Sequence, residues 1–203
     1  MNSLPEDYRL CFIGDSFVNG TGDPDKLGWA GRLCSLSEDN SRHITYYNLG
    51  VIKESSEDIQ KRWLNECRIR LPETSKNALI FSFGVNDSLI ENSQIRVKQG
   101  QSLINAREIL SQAKEQYPTL MIGPPPIDNE DTNKRIKMLD KQLSDLCDVI
   151  GVSYLSIFQT LKDNFVWHKE VTQNDGAHPQ ADGYQLLAEI IYRWPKWQGL
   201  FKQ

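Results

Sequence analysis

Short apolar runs alternate with longer segments of helical period along nearly the whole chain, and that alternation limits the folds open to it. Strand-like runs fall at residues 9–13, 44–49, 78–83, 120–122 and 152–155. Between them, Leu27, Ala30, Leu33 and Cys34 share one face of a helix over 27–37, and a helix over 55–71 opens with Ser55 and Asp58 at capping-box spacing. Leu103, Ala106, Ile109, Leu110, Ala113 and Tyr117 form one apolar stripe. Ile136, Leu139, Leu143, Leu146, Cys147 and Ile150 form another. A last helix, over 181–194, follows His178-Pro179 and stops before Pro195. Strand–helix alternation of this kind calls for a parallel sheet covered on both faces and joined by right-handed crossovers. The chain therefore reads as a three-layer α/β/α sandwich. With 203 residues and no repeat, low-complexity tract or shift in composition, one domain is expected over 1–203, its core at about 8–194.

Charge and composition narrow the function. A net charge of −4 without a basic stretch argues against nucleic acid and anionic membrane surfaces as partners. No apolar run approaches the length of a membrane span, and the opening Met1-Asn2-Ser3-Leu4-Pro5-Glu6-Asp7 is too polar for a signal peptide, so a cytoplasmic location is expected. Cys11, Cys34, Cys67 and Cys147 are widely spaced and fall on strands or apolar helix stripes, as buried free thiols do. His43, His168 and His178 show no metal-ligand spacing, so no metal is expected.

In an open α/β sheet the loops at the carboxyl ends of the strands converge on the edge where ligands bind. In order, these loops carry Gly14-Asp15-Ser16-Phe17, Asn48-Leu49-Gly50, Gly84-Val85-Asn86-Asp87 and, before the last helix, Asp175-Gly176-Ala177-His178-Pro179. A carboxylate three residues before an imidazole can accept the ring N–H and leave the other nitrogen free as a base. Ser16, delivered by the first strand, is the nucleophile that such a base needs. Ester cleavage by a serine also asks for donors to the oxyanion. The Asn86 amide, the Gly50 N–H with no Cβ to obstruct it, and the Ser16 N–H are the candidates. The expected catalytic residues are thus Ser16, Asp175 and His178, and the expected oxyanion hole is Ser16, Gly50 and Asn86. No cofactor is required.

These four blocks, in this order, resemble those of the GDSL or SGNH hydrolase family, named for its Ser, Gly, Asn and His. The positions here are Ser16, Gly50, Asn86 and His178, with Asp175 completing the triad, and the resemblance runs from about residue 8 to residue 192. It implies a flavodoxin-like five-stranded parallel sheet and an esterase, lipase, thioesterase or carbohydrate deacetylase. Two positions depart from the family pattern. Phe17 stands where a smaller aliphatic residue is usual, which should alter the packing behind the nucleophile. Lys53 stands where members often carry a further Gly, three residues after the oxyanion Gly, and changes the shape and charge of the cleft wall.

The expected activity is a serine esterase acting on a small-molecule, short-chain acyl ester. Short linkers leave no long apolar insertion to cover a lipid chain, and Lys53 puts charge where a lipase wants an apolar wall. A carbohydrate acetyl esterase, a thioesterase or a lysophospholipase of the same family is the alternative. A rival outside enzymes is a flavodoxin-like binding module that uses the first loop as a phosphate cradle. That loop has no Gly-x-Gly-x-x-Gly or Gly-Lys-Ser/Thr pattern, and Asp23 and Asp25 make it acidic. Asn86 and Gly50 also suit plain turns, and His178-Pro179 suits a helix entry. Gly123-Pro124-Pro125-Pro126 reads as a stiff loop near the cleft, and His168 as structural.

Overall fold

The computed structural model describes residues 5–202; residues 1–4, part of the polar opening stretch, and Gln203 lie outside the described residues. Adjacent residues of a strand point to opposite faces, and in β1 (Glu6–Gly14) both faces are apolar. Phe12 packs into one hydrophobic layer and Ile13 into the other. The same division recurs at Ile80 and Phe81, and at Ile122 and Met121. Strands buried on both faces are what a parallel sheet between helices demands.

From β1 the chain runs through α1 (Ser16–Asn19), α2 (Gly28–Ser37), β2 (Arg42–Gly50), α3 (Ser56–Arg68) and β3 (Lys76–Ser82). A 3-10 turn (Asn86–Ser88) leads to a small ribbon, β4 (Ile90–Glu91) and β5 (Gln94–Ile95), and then to α4 (Gln99–Gln116) and β6 (Thr119–Ile122). The last elements are α5 (Glu130–Ile150), β7 (Ser153–Leu155), α6 (Phe158–Lys162), α7 (Phe165–Gln173), α8 (Ala181–Tyr192) and α9 (Pro195–Gly199). The main sheet is parallel throughout, in the order β2-β1-β3-β6-β7. Trp29 and Leu33 of α2, Tyr184 and Leu187 of α8 and Trp197 of α9 fill one layer, against Phe12 and Ile80. Ile59 and Trp63 of α3, Ile109 of α4 and Leu143 of α5 fill the other, against Ile13 and Phe81. The three-layer arrangement and the flavodoxin-like strand order agree with the reading of the sequence.

The order reverses direction between β1 and β3, which opens a crevice at the carboxyl ends of the strands. Gly14 lies opposite both Gly50 and Ser82 in the register, so the loops after β1, β2 and β3 leave the sheet at one level. All four cysteines are buried and free. No helix among the described residues is long and apolar enough to cross a membrane.

Two segments differ from the sequence reading. Residues 156–180, to which the sequence reading assigned no helix, carry α6 and α7, whose Phe158, Leu161, Trp167 and Val171 are buried. With two buried side chains apiece, neither helix leaves a long periodic stripe in the sequence. The other is the ribbon, whose turn residues Asn92 and Ser93 both adopt left-handed backbone (φ 50° and 63°), the geometry of a tight hairpin.

Candidate active site

β1 ends where only glycine fits, because a Cβ on Gly14 would lie 2.0 Å from the Ser82 carbonyl oxygen of β3. Past this contact the chain turns sharply. Asp15 caps α1 by accepting the Phe17 N–H at 3.0 Å, and the Gly20 N–H closes the turn on the Ser16 carbonyl at 3.1 Å. From the end of β2, Asn48 donates to the Val18 carbonyl at 2.8 Å. Ser16 therefore opens a one-turn helix pinned at both ends, and as its first residue has a backbone N–H with no intrahelical partner.

The loop before α8 brings His178 to this serine. His178 Nε2 lies 2.7 Å from Ser16 Oγ, and His178 Nδ1 lies 2.7 Å from Asp175 Oδ2. The second Asp175 oxygen accepts the Ala177 and His178 N–H groups at 2.9 and 2.8 Å. One carboxylate thus grips both the imidazole and the loop that carries it. Asn174 Nδ2 donates to the His178 carbonyl at 3.0 Å, and the Asp128 N–H to the Gly176 carbonyl at 2.8 Å. The Phe17 ring packs against the imidazole with centroids 4.7 Å apart, so this bulkier residue supports the His178 ring as well as the turn. Burial pushes the Asp175 carboxyl up, but the His178 N–H, the His178 ring and the Ala177 N–H outweigh it and hold the group below its ordinary value.

The positive end of α8 lies beside His178 in the chain and would disfavour a charged ring. The structure answers it with Glu170 of α7, whose carboxylate accepts the N–H groups of Gln180 (2.8 Å), Asp182 (3.2 Å) and Gly183 (2.7 Å). Sequence reasoning missed Glu170. Nothing local marks it, since it caps a helix that begins eleven residues later from the side of another.

Asn86 stands in the turn after β3, beside Asp15. Its Nδ2 donates to the Glu54 carbonyl at 2.9 Å and, at a longer 3.3 Å, to Asp15 Oδ2. Gly50 lies where β2 meets α1, and a Cβ there would sit 2.1 Å from the Asn19 nitrogen. Its N–H, expected to be free for an oxyanion, donates to Asn48 Oδ1 at 3.0 Å, because that side chain folds back over its own turn. Lys53 adopts left-handed backbone (φ 68°), which glycine adopts without strain and a side chain pays about 1–2 kcal/mol to enter. The structure thereby gives a physical reason for a glycine at this position.

Behind these groups two acids are buried side by side. Asp87 accepts the Ser56 N–H at the start of α3 at 2.8 Å. Burial pushes the Asp15 carboxyl up to about 7; the Phe17 N–H and the Asn86 amide oppose this, while the nearby Asp87 charge adds to it. Pro124–Pro126, after β6, form a buried segment fixed by Trp167 Nε1 on the Pro126 carbonyl at 3.0 Å. His168 is exposed on α7, away from this chemistry. Among the described residues no group of three or more His, Cys, Asp or Glu could hold a metal ion.

Residues 12–186 match the model of the GDSL-like lipase/acylhydrolase family. An uncharacterized protein of Bacillus subtilis (strain 168) is 20% identical, over 98% of this chain and 85% of its own length. Among solved structures, a lipase/acylhydrolase from Enterococcus faecalis is 20% identical with a TM-score of 0.69, over 94% of this chain and 96% of that one. An acetylxylan esterase from Geobacillus stearothermophilus is 17% identical with a TM-score of 0.74, over 94% of each chain.

Proposed function

Since the chain belongs to the GDSL-like lipase/acylhydrolase family and is a hydrolase acting on ester bonds, we propose that it cleaves short-chain acyl esters through a covalent acyl-Ser16 intermediate. The observation that carries this reading is the pair of 2.7 Å contacts joining Ser16 Oγ, the His178 ring and Asp175. Neutral His178 takes the hydroxyl proton through Nε2 as Ser16 Oγ attacks the ester carbonyl. The charge that develops on the carbonyl oxygen is met by the Ser16 N–H and by the Asn86 Nδ2 hydrogen that otherwise makes only the long contact to Asp15. The Gly50 N–H joins them only by sharing its bond to Asn48. Protonated His178 then returns the proton to the leaving alcohol, water enters by the same route, and the acid departs. Asp175 keeps the ring in the tautomer with a proton on Nδ1 and stabilises it while charged. The short-chain preference rests on the polar rim near the nucleophile, where Lys53 is exposed and Arg96 lies against Asn86.

A fluorophosphonate probe, which reacts only with an activated serine, should label the wild-type chain and not Ser16→Ala. Ser16→Ala and His178→Ala should each lower kcat by about 10⁴–10⁶, and the double variant no further, because the residues act as one unit. Labelling that survives in Ser16→Ala, or losses that multiply, would refute the assignment.

A further inference from the structure

We propose that Arg96, at the foot of the β4–β5 ribbon, is the positioning residue that holds the Asn86 amide with its N–H groups toward the nucleophile. The inference rests on the oxyanion role given to Asn86 in the proposed function. The two ends of an asparagine side chain have the same shape, so only their partners decide which end faces which way. A guanidinium donates and never accepts. Arg96 Nη1 lies 3.3 Å from Asn86 Oδ1, which commits the oxygen to the ribbon side and leaves Nδ2 facing Glu54 and Asp15. A flipped amide would set donors against the guanidinium and an oxygen against the Glu54 carbonyl.

The same side chain does a second job. Arg96 Nη2 donates to the Lys53 carbonyl at 2.8 Å, so one planar fork fixes both Asn86 and the left-handed turn beside it. Arg96 is itself anchored, by its N–H on the Leu89 carbonyl at 2.9 Å and by Glu91, 3.5 Å from Nε. The ribbon, which contributes little to the core, thereby acquires a purpose: it delivers a permanent cation to the back of the oxyanion donor. Asp15 contacts the same amide but is half protonated near neutrality, whereas arginine keeps its charge at every working pH.

The test is a double-mutant cycle on a short-acyl nitrophenyl ester. Arg96→Met should lower kcat about 10–100-fold with KM within about threefold, as loss of a transition-state donor does. Combined with Asn86→Ala it should cost nothing beyond Asn86→Ala alone. Arg96→Lys keeps the charge but loses the fork, and should recover little of the lost kcat. Multiplying losses, or full recovery with lysine, would mean that Arg96 acts by its charge alone and would overturn the positioning role. The second readout is the Asn86 side-chain amide in a nitrogen–proton NMR spectrum, which should broaden or double in Arg96→Met and also in Arg96→Lys, should Arg96→Met fail to fold. Unchanged amide signals would overturn the role. Because this readout needs no turnover, a chain without esterase activity would refute the proposed function while the resonances still decide on Arg96.

Discussion

Asp15→Asn should make the protein more stable and less active, by amounts that depend on pH. The Asp15 carboxyl is fully enclosed and has its value raised from 3.8 to about 7, chiefly by burial. A group held protonated in this way contributes stability that is fully present below its unfolded value. That contribution is lost as pH rises through about 7, because the folded state must then bury a charge that the unfolded chain keeps in water. Linkage puts the whole span at ~4 kcal/mol. Asparagine has no charge to bury, and its Oδ1 can still accept the Phe17 N–H. Its Nδ2, however, would face Asn86 Nδ2, donor against donor, where the acid now accepts at 3.3 Å. That lost bond takes back about 1 kcal/mol. The variant should therefore be about 2–3 kcal/mol more stable than the wild type at pH 8.5 and within about 1 kcal/mol of it at pH 5. Urea unfolding of both chains at the two pH values measures the difference, in which all other titrating groups cancel. A stability difference that is the same at both pH values would refute the reasoning. The same variant should lose kcat, because Asn86 would turn to satisfy its new neighbour, an exchange of function for stability common at buried polar sites.

Two further outcomes follow from the same geometry. Glu170→Ala should destabilise the protein by about 1–3 kcal/mol, since three backbone N–H groups of the α8 entry lose their acceptor; an unmoved urea midpoint would show that water replaces the carboxylate without cost. Across nitrophenyl esters from two-carbon to sixteen-carbon acyl chains, kcat/KM should peak among the short ones. A peak at ten carbons or beyond would instead make an acyl groove of the exposed Val51 and Ile52 that follow Gly50.

The parts of this molecule that could be read from the sequence are those whose chemistry restricts the residue type. A strand buried on both faces must be apolar at every position, so β1 and β3 show as unbroken runs. The Asp175–His178 pair sits three residues apart in one loop, so its contact could be anticipated from local spacing. The parts that stayed hidden are the long-range contacts around Asn86 and the His178 loop. Arg96 reaches Asn86 across ten positions and Lys53 across forty-three, and Glu170 reaches Gly183 across thirteen. Each is a charged side chain that in a linear sequence is indistinguishable from solvated surface. Gly50 shows the converse: its residue type was legible, because two backbones meet there with no room for a Cβ. The partner of its N–H was not, because any nearby oxygen would serve and Asn48 happens to reach it. Residue type thus records what an atom must do, whereas orientation depends on which donors and acceptors the fold brings together. That is why the contacts of Gly50 and Asn86, where a backbone N–H and a flippable amide choose among several partners, stayed open in the sequence, while the Ser16–His178–Asp175 contacts could be anticipated.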